Sequence, residues 1–252
     1  MKKGIVFLFF LILLNVGKLS PAEAKDLERF PSQNKVASEV YTVKKGDTFE
    51  KLFGEKWRVI ARFNRLDKDH LFAGQKIKVP VDLEQAAGYS PLPAFFEEAK
   101  NEEKFILVDL EEQWFGAYEF GNLVFGGPIS SAAPKCLDKR KFWRTCKTPT
   151  GDFKILAVDR DHYSSIYKDP TGKPVPMPYA MMFYQSSRGI AYWLHGGALP
   201  GYRASHGCIR LWKEDAQKLC EWFNPDCSQN KKIEWLKNAP KVKVVDSLKN
   251  SA

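Results

Sequence analysis

Residues 192–211 read YWLHGGALPGYRASHGCIRL, and this glycine-punctuated block constrains the chain more than any other stretch. Glycines at 196, 197, 201 and 207 demand a backbone that turns tightly and leave room for a substrate to approach. Two of the chain's four histidines, His195 and His206, precede Cys208 within it. A cysteine reacts as its thiolate, and a neighbouring imidazole is the usual device for generating one. Taken alone, the block also admits a buried structural thiol in a glycine-rich turn.

The N-terminus bounds the compartment. Lys2 and Lys3 precede an apolar run, Gly4 to Leu14, that is too short to span a bilayer, and Pro21-Ala22-Glu23-Ala24 offers an A-x-A cleavage site. Residues 1–24 therefore read as a signal peptide, with an uncleaved anchor as the alternative, and no membrane span is expected after cleavage. The implied location is the periplasm or cell envelope. Losing three lysines and one glutamate with the signal lowers the net charge from +9 to +7. A basic exported chain suits anionic partners such as cell-wall polymers or membrane surfaces. Nucleic acid is disfavoured as a partner by export and by the spread of the charge, which forms no block to match a phosphate track.

Export also frames the five cysteines. Cys136 and Cys146 bracket one short loop, and Cys220 and Cys227 another. Pairing each locally leaves Cys208 free, although spacing does not settle connectivity. A zinc site is the rival use; the absence of any C-x2-C pair speaks against it.

Residues 25–40 are polar and aperiodic and read as a flexible leader. YTVKKGDT then alternates up to a Gly46-Asp47 turn, and Phe49, Leu52, Phe53, Val59, Ile60 and Phe63 follow at near-helical spacing. Lys76-Ile77-Lys78-Val79 closes the unit before Pro80. This strand–helix–helix–strand order, with YTVKKGDT at one end and GQKIKVP at the other, resembles a LysM domain over residues 41–81. The resemblance implies binding of the N-acetylglucosamine-containing glycan of peptidoglycan or chitin, with contacts around Gly46, Asp47, Thr48, Ala73 and Gly74. Residues 82–103, with Gly88, Pro91 and Pro93 and an acidic helix-like piece, read as a linker. Beyond Lys104 the pattern is β-rich, with strands expected at 104–110, 114–120, 122–126, 153–158, 180–185 and 190–194. Residues 131–147 read as a stapled surface loop, 212–223 as a helix with one buried face, and 241–245 as an edge strand in a C-terminal extension, 217–252.

SHGCIRL, with His195-Gly196 before it, resembles the catalytic signature of the YkuD family of L,D-transpeptidases. FILVDLEEQWFGAYEFGNLVF at 105–125, TPTGDFKI at 148–155 and Asp215-Ala216 fit the same family, so the resemblance spans residues 104–216. The loop between His195 and Cys208 is shorter than the family's commonest form. The fold class implied is mainly β (α+β): a β-rich catalytic domain with a packed helix, plus the small βααβ LysM module.

The resemblance assigns Cys208 as nucleophile and His195 as base, its ring oriented by the Gly196 carbonyl. His206 is expected to shape the pocket or bond the substrate. The N–H groups of Gly207 and Cys208 are the natural oxyanion donors. Arg210 suits either a substrate carboxylate or a structural salt bridge. Ser205 and Tyr192 are further substrate contacts, with Trp193 and Tyr202 as aromatic walls or core. No metal or organic cofactor is required. The implied substrate is a peptidoglycan tetrapeptide stem; the acceptor is a neighbouring stem amine, a lipoprotein lysine or water. The alternatives are an L,D-carboxypeptidase and a catalytically inactive wall-binding protein. A papain-like protease is disfavoured because its asparagine partner and nucleophile context are missing.

Overall fold

The computed structural model describes residues 30–137, 143–228 and 233–248; the expected signal segment, 1–24, and residues 138–142 of the stapled loop lie outside these. Among the described residues, no helix is long and apolar enough to cross a membrane. The first unit comprises β1 (Ser38–Thr42), α1 (Phe49–Phe53), α2 (Trp57–Phe63) and β2 (Lys76–Pro80), the two strands antiparallel with Tyr41 opposite Ile77. Thr48 caps α1 by accepting from Lys51 N at 3.2 Å. A Schellman turn closes α2: Leu66 N donates to Ala61 O at 2.9 Å and Arg65 N to Arg62 O at 3.0 Å, with Arg65 at φ 57°. Helix α3 (Leu83–Ala87) follows, capped by Asp82.

The second unit is one ten-stranded sheet. Its elements are β3 (Phe105–Asp109), β4 (Trp114–Glu119), β5 (Asn122–Ser130), the separate β6 (Lys135–Leu137) and β7 (Trp143–Thr145) hairpin, β8 (Gly151–Lys154), β9 (Ala157–Lys168), β10 (Pro174–Gln185), β11 (Ala191–Gly196), β12 (Ile209–Leu211), α4 (Lys213–Phe223), β13 (Glu234–Trp235) and β14 (Lys241–Val245). The strand order is β13-β9-β10-β11-β12-β5-β4-β3-β14-β8. The sheet curls, so residues of β3, β4, β10, β11, β12 and β14 share one core with Ala216, Leu219 and Cys220 of α4. Phe153 of β8 meets Phe183 and Tyr184 of β10 at 5.4 and 5.3 Å. Disulfides join Cys136 to Cys146 across the β6–β7 hairpin and Cys220 to Cys227 at the end of α4.

Three expectations change. Residues 30–36 are no leader: Phe30, Ser32, Gln33 and Val36 are buried, because Ser32 N and Oγ donate to the Glu112 carboxylate and Gln33 Nε2 donates to Phe63 O. The linker is packed too, with Leu92 and Ala99 buried against Phe105, Leu107, Trp114 and Tyr118. Finally, β14 is interior, parallel to β3 on one side and antiparallel to β8 on the other. Its alternation reflects one buried face, Val242 and Val244, with Lys241 and Lys243 on the other.

The two units share a core. Leu199 and Trp212 pack among Val43, Phe49, Ile60, Leu66 and Ile77, and Trp57 stacks on Trp212 at 6.0 Å. Arg62 Nη1 donates to both Asp215 oxygens at 2.9 Å, and its Nη2 donates to Gly126 O at 2.8 Å. Arg65, fully buried, donates to Phe63 O and Glu112 O at 2.7 and 3.1 Å and lies 3.6 Å from the Glu112 carboxylate. Burial pushes the Asp215 carboxyl up while Arg62 pulls it back. Removing one member of such a pair strands the other. Arg62→Ala should therefore cost about 3 kcal/mol in urea unfolding, far more than a surface pair. Unfolding should remain one transition followed by either tryptophan of the Trp57–Trp212 stack.

Candidate active site

Parallel pairing of β11 with β12 builds the site. Leu194 lies opposite Ile209 and His195 opposite Arg210. Leu194 and Ile209 enter the main core, so alternation sends His195, Arg210 and, two residues earlier, Cys208 to the other face. There Cys208 packs, partly buried, with Trp193, Met177, Ala180 and Met182. It is the one free cysteine; the other four are disulfide-bonded.

His195 is buried, and its Nδ1 lies 2.8 Å from Gly196 O. A carbonyl only accepts, so Nδ1 carries the proton and Nε2 is left as a base. Burial pushes the His195 pKa down to about 4, with Arg210 and His162 adding to the fall. Burial likewise raises the Cys208 thiol, opposed by the Trp193 N–H and by Arg210. The resting pair is therefore neutral thiol and neutral imidazole. A neutral imidazole on the same face as a neutral thiol is the arrangement that general-base activation of a cysteine requires.

The turn before the nucleophile is held by Ser205. Its Oγ donates to Cys208 O at 2.5 Å and accepts from Gly207 N at 3.1 Å. The Ser205 hydroxyl is thus engaged within the turn, and the Gly207 N–H has an internal acceptor. Ser205 also bridges to Ala132, where the stapled hairpin begins.

The glycines do not leave room for ligand. A Cβ on Gly207, at φ 151°, would sit 2.7 Å from the Tyr192 ring; one on Gly201, at φ 81°, would sit 2.9 Å from the Leu66 side chain. Gly197 faces the Arg210 stem, and Gly196 faces Pro178 and Lys213. Tyr192 thus supports the nucleophile turn. Burial pushes the Arg210 pKa down, and none of the described carboxylates pairs with it. This favours the substrate-carboxylate reading of Arg210 over a structural salt bridge.

The long β9–β10 arm contributes what the sequence did not disclose. Tyr167 stacks on His206 at 4.2 Å, and His162 on Trp193 at 4.4 Å, with His162 Nδ1 2.8 Å from Asp159. Trp193 is buried and Tyr202 exposed. The one available signal was that His162 is a third histidine of a set of four.

In the first unit, Asp47 accepts from Tyr41 OH and Lys44 N, both at 2.7 Å, and Thr48 caps α1. These side chains shape the turn. Gly46 and Gly74 face open space. Among the described residues, no cluster of His, Cys, Asp and Glu could hold a metal.

A buried histidine with a lowered pKa binds its proton in the unfolded chain first. Stability is therefore full above pH 6.5 and falls as pH drops toward about 4, by roughly 3 kcal/mol in all. Chemical denaturation across that range should show the slope, and His195→Gln should flatten it. Gly207→Ala should slow Cys208 acylation about a hundredfold by displacing the turn. Tyr192→Ala, which vacates the clash, should recover part of the loss when introduced beside it.

A search of curated proteins finds no match. Among solved structures, the L,D-transpeptidase of Xylanimonas cellulosilytica DSM 15894 (residues 123–326) shares 24% identity over 74% of this chain and 78% of that one, with a TM-score of 0.49. An L,D-transpeptidase from Mycobacterium smegmatis shares 19% over 57% and 58%, TM-score 0.39, and L,D-transpeptidase 1 of Mycobacterium tuberculosis 17% over 56% and 61%, TM-score 0.37. The chain thus spans about three-fifths of the mycobacterial structures. The LysM family model matches residues 41–80, and that of the YkuD L,D-transpeptidase catalytic domain matches residues 103–243. With over half its length in that second match, the chain belongs to the YkuD family of L,D-transpeptidase catalytic domains and carries a LysM domain in front of it.

Proposed function

We propose that this protein is an exported peptidoglycan L,D-transpeptidase in which Cys208 is the nucleophile and His195 its base. Cys208 Sγ attacks the carbonyl of the L-to-D bond of a tetrapeptide stem while His195 Nε2 takes the thiol proton. The tetrahedral oxyanion meets the Cys208 N–H, and Arg210 pairs with a carboxylate of the substrate. Collapse breaks the C–N bond, His195 returns the proton to the departing D-alanine amine, and a thioester remains on Cys208. An acceptor amine then attacks the thioester, forming a new amide and releasing the thiol. A stem amine yields a cross-link; a lipoprotein lysine yields anchoring. His206, held under Tyr167, borders the cleft, and the LysM loops at Gly46, Asp47, Thr48 and Gly74 bind the glycan.

One observation carries this reading. The β11–β12 register puts a buried histidine whose Nδ1 is tied to Gly196 O on the same face as the one free thiol. A structural thiol would have no use for the oriented base or for an arginine that pairs with none of the described carboxylates.

The purified protein and Cys208→Ala should be mixed with disaccharide-tetrapeptide fragments and the products read by mass spectrometry. Stem dimers formed with loss of D-alanine, absent from the variant, are expected. Tripeptide alone would assign the site to carboxypeptidase chemistry, and no cysteine-dependent product would sink the enzymatic reading.

A further inference from the structure

We propose that Asp67, in the LysM unit and outside the matched catalytic domain, is a positioning residue for the acyl-transfer cleft. It acts through Leu199–Tyr202, the wall between His195 and Cys208, and the idea rests on the transpeptidase reading of that cleft. Asp67 engages both main-chain groups of Leu199: its N–H donates to Leu199 O at 2.9 Å, and its Oδ2 accepts from Leu199 N at 2.8 Å. Its other oxygen accepts from Asp69 N at 2.9 Å and lies 2.6 Å from His70 Nδ1, so the carboxylate is fixed from both sides.

The neighbours extend this contact into a short antiparallel ladder. Leu66 bridges Pro200, Gly201 N donates to Arg65 O at 3.1 Å, and Trp212 Nε1 donates to Leu66 O at 3.1 Å. Leu199 is buried in the LysM core, and Gly201 is the residue whose missing Cβ admits Leu66. The later half of the wall is held by the end of β5, through Ser130 Oγ to Tyr202 O at 2.7 Å and Ala204 N to Ser131 O at 3.0 Å. The first half is therefore clamped by the LysM unit and the second by the catalytic sheet. Tyr202, where the two meet, is held by Ser130, the residue that pairs with Arg210 across β5 and β12. Moving Leu199–Gly201 moves Tyr202 relative to the group that receives the substrate carboxylate, while β11 and β12 keep His195 and Cys208 in register. The LysM unit thereby sets the shape of the cleft as well as placing the enzyme on glycan.

The test compares full-length Asp67→Ala and Asp67→Asn with wild type; Asn keeps an oxygen for Leu199 N. Cys208 labelling by iodoacetamide reports the thiol and its base, and labelling by a bulky anionic maleimide reports the wall. With stem fragments, Asp67→Ala should raise KM about tenfold or more with kcat changed less, as expected for misplacement of a binding wall. The maleimide-to-iodoacetamide ratio should rise several-fold, and Asp67→Asn should restore both. An unchanged KM and ratio in folded Asp67→Ala would overturn the proposal, as would an equal change in both labelling rates. Should wild type turn over no stem, the functional reading fails, and the labelling ratio still decides whether Asp67 holds the wall.

Discussion

The Arg65 guanidinium is the point on which the two units of this molecule close. It has no exposed surface, and the rings of Phe30, Tyr89 and Trp114 lie within cation–π range at 4.4, 5.5 and 4.8 Å. A buried charge is tolerated only when its donors are satisfied and a counter-charge is near. Here main-chain oxygens of Phe63 and Glu112, the Tyr89 hydroxyl and the Glu112 carboxylate do both, and Ser32 completes the carboxylate's shell. Four separate stretches must meet for that shell to exist: the N-terminal turn, the end of the LysM helix α2, the Tyr89 segment, and the Glu112 corner with the start of β4. The left-handed turn that ends α2 would ordinarily fall to glycine. Arginine stands there because its side chain is needed at the junction, and the same turn aims Leu66 and Asp67 at the catalytic loop.

The chemistry of the cleft follows a different physical rule. Low polarity keeps the thiol and imidazole uncharged at rest, and the fixed partners are arranged for the moment at which charge appears. In the proposed mechanism the Trp193 N–H and Arg210 stabilise the sulfur as it ionises, and Gly196 O steadies the imidazole as it becomes imidazolium. A thiol held neutral by burial also offers little thiolate to oxidants.

Legibility in the sequence tracked how local each signal was. His195 and Cys208 stood out because scarce, chemically distinctive residues fall in one short block, and the LysM strands because their alternation is uninterrupted. The β9–β10 arm was read short. Pro174, Pro176 and Pro178 look like strand breakers, yet Pro176 and Pro178 pair with Tyr163 and Asp161 of β9 at the outer part of the arm. Tyr167 and His162 reach the site only through that long-range pairing. The junction was hidden for another reason: Arg62, Arg65 and Asp67 have the composition of a solvated helix end, and their partners at Asp215, Glu112 and Leu199 are remote in sequence. A segment such as 30–36 reads as a leader because its burial depends on hydrogen bonds to Glu112 and Phe63 and on no periodicity of its own.

The placement of β14 carries a consequence for how the molecule is assembled in time. Lys241 pairs with Phe105, so the ladder joins the start of the catalytic sheet to a strand far along the chain. Strand β8, made in between, has β14 as its sheet neighbour and no other. The β3–β4–β5 meander can pair as it is synthesised, whereas β8 stays an open flank until residues 241–245 arrive. Closing so distant a contact is slow, because the loop entropy must be overcome before the pairing contributes. The native sheet is therefore completed only once residues 241–245 are available, and its β8 flank stays extensible for as long as that strand is withheld.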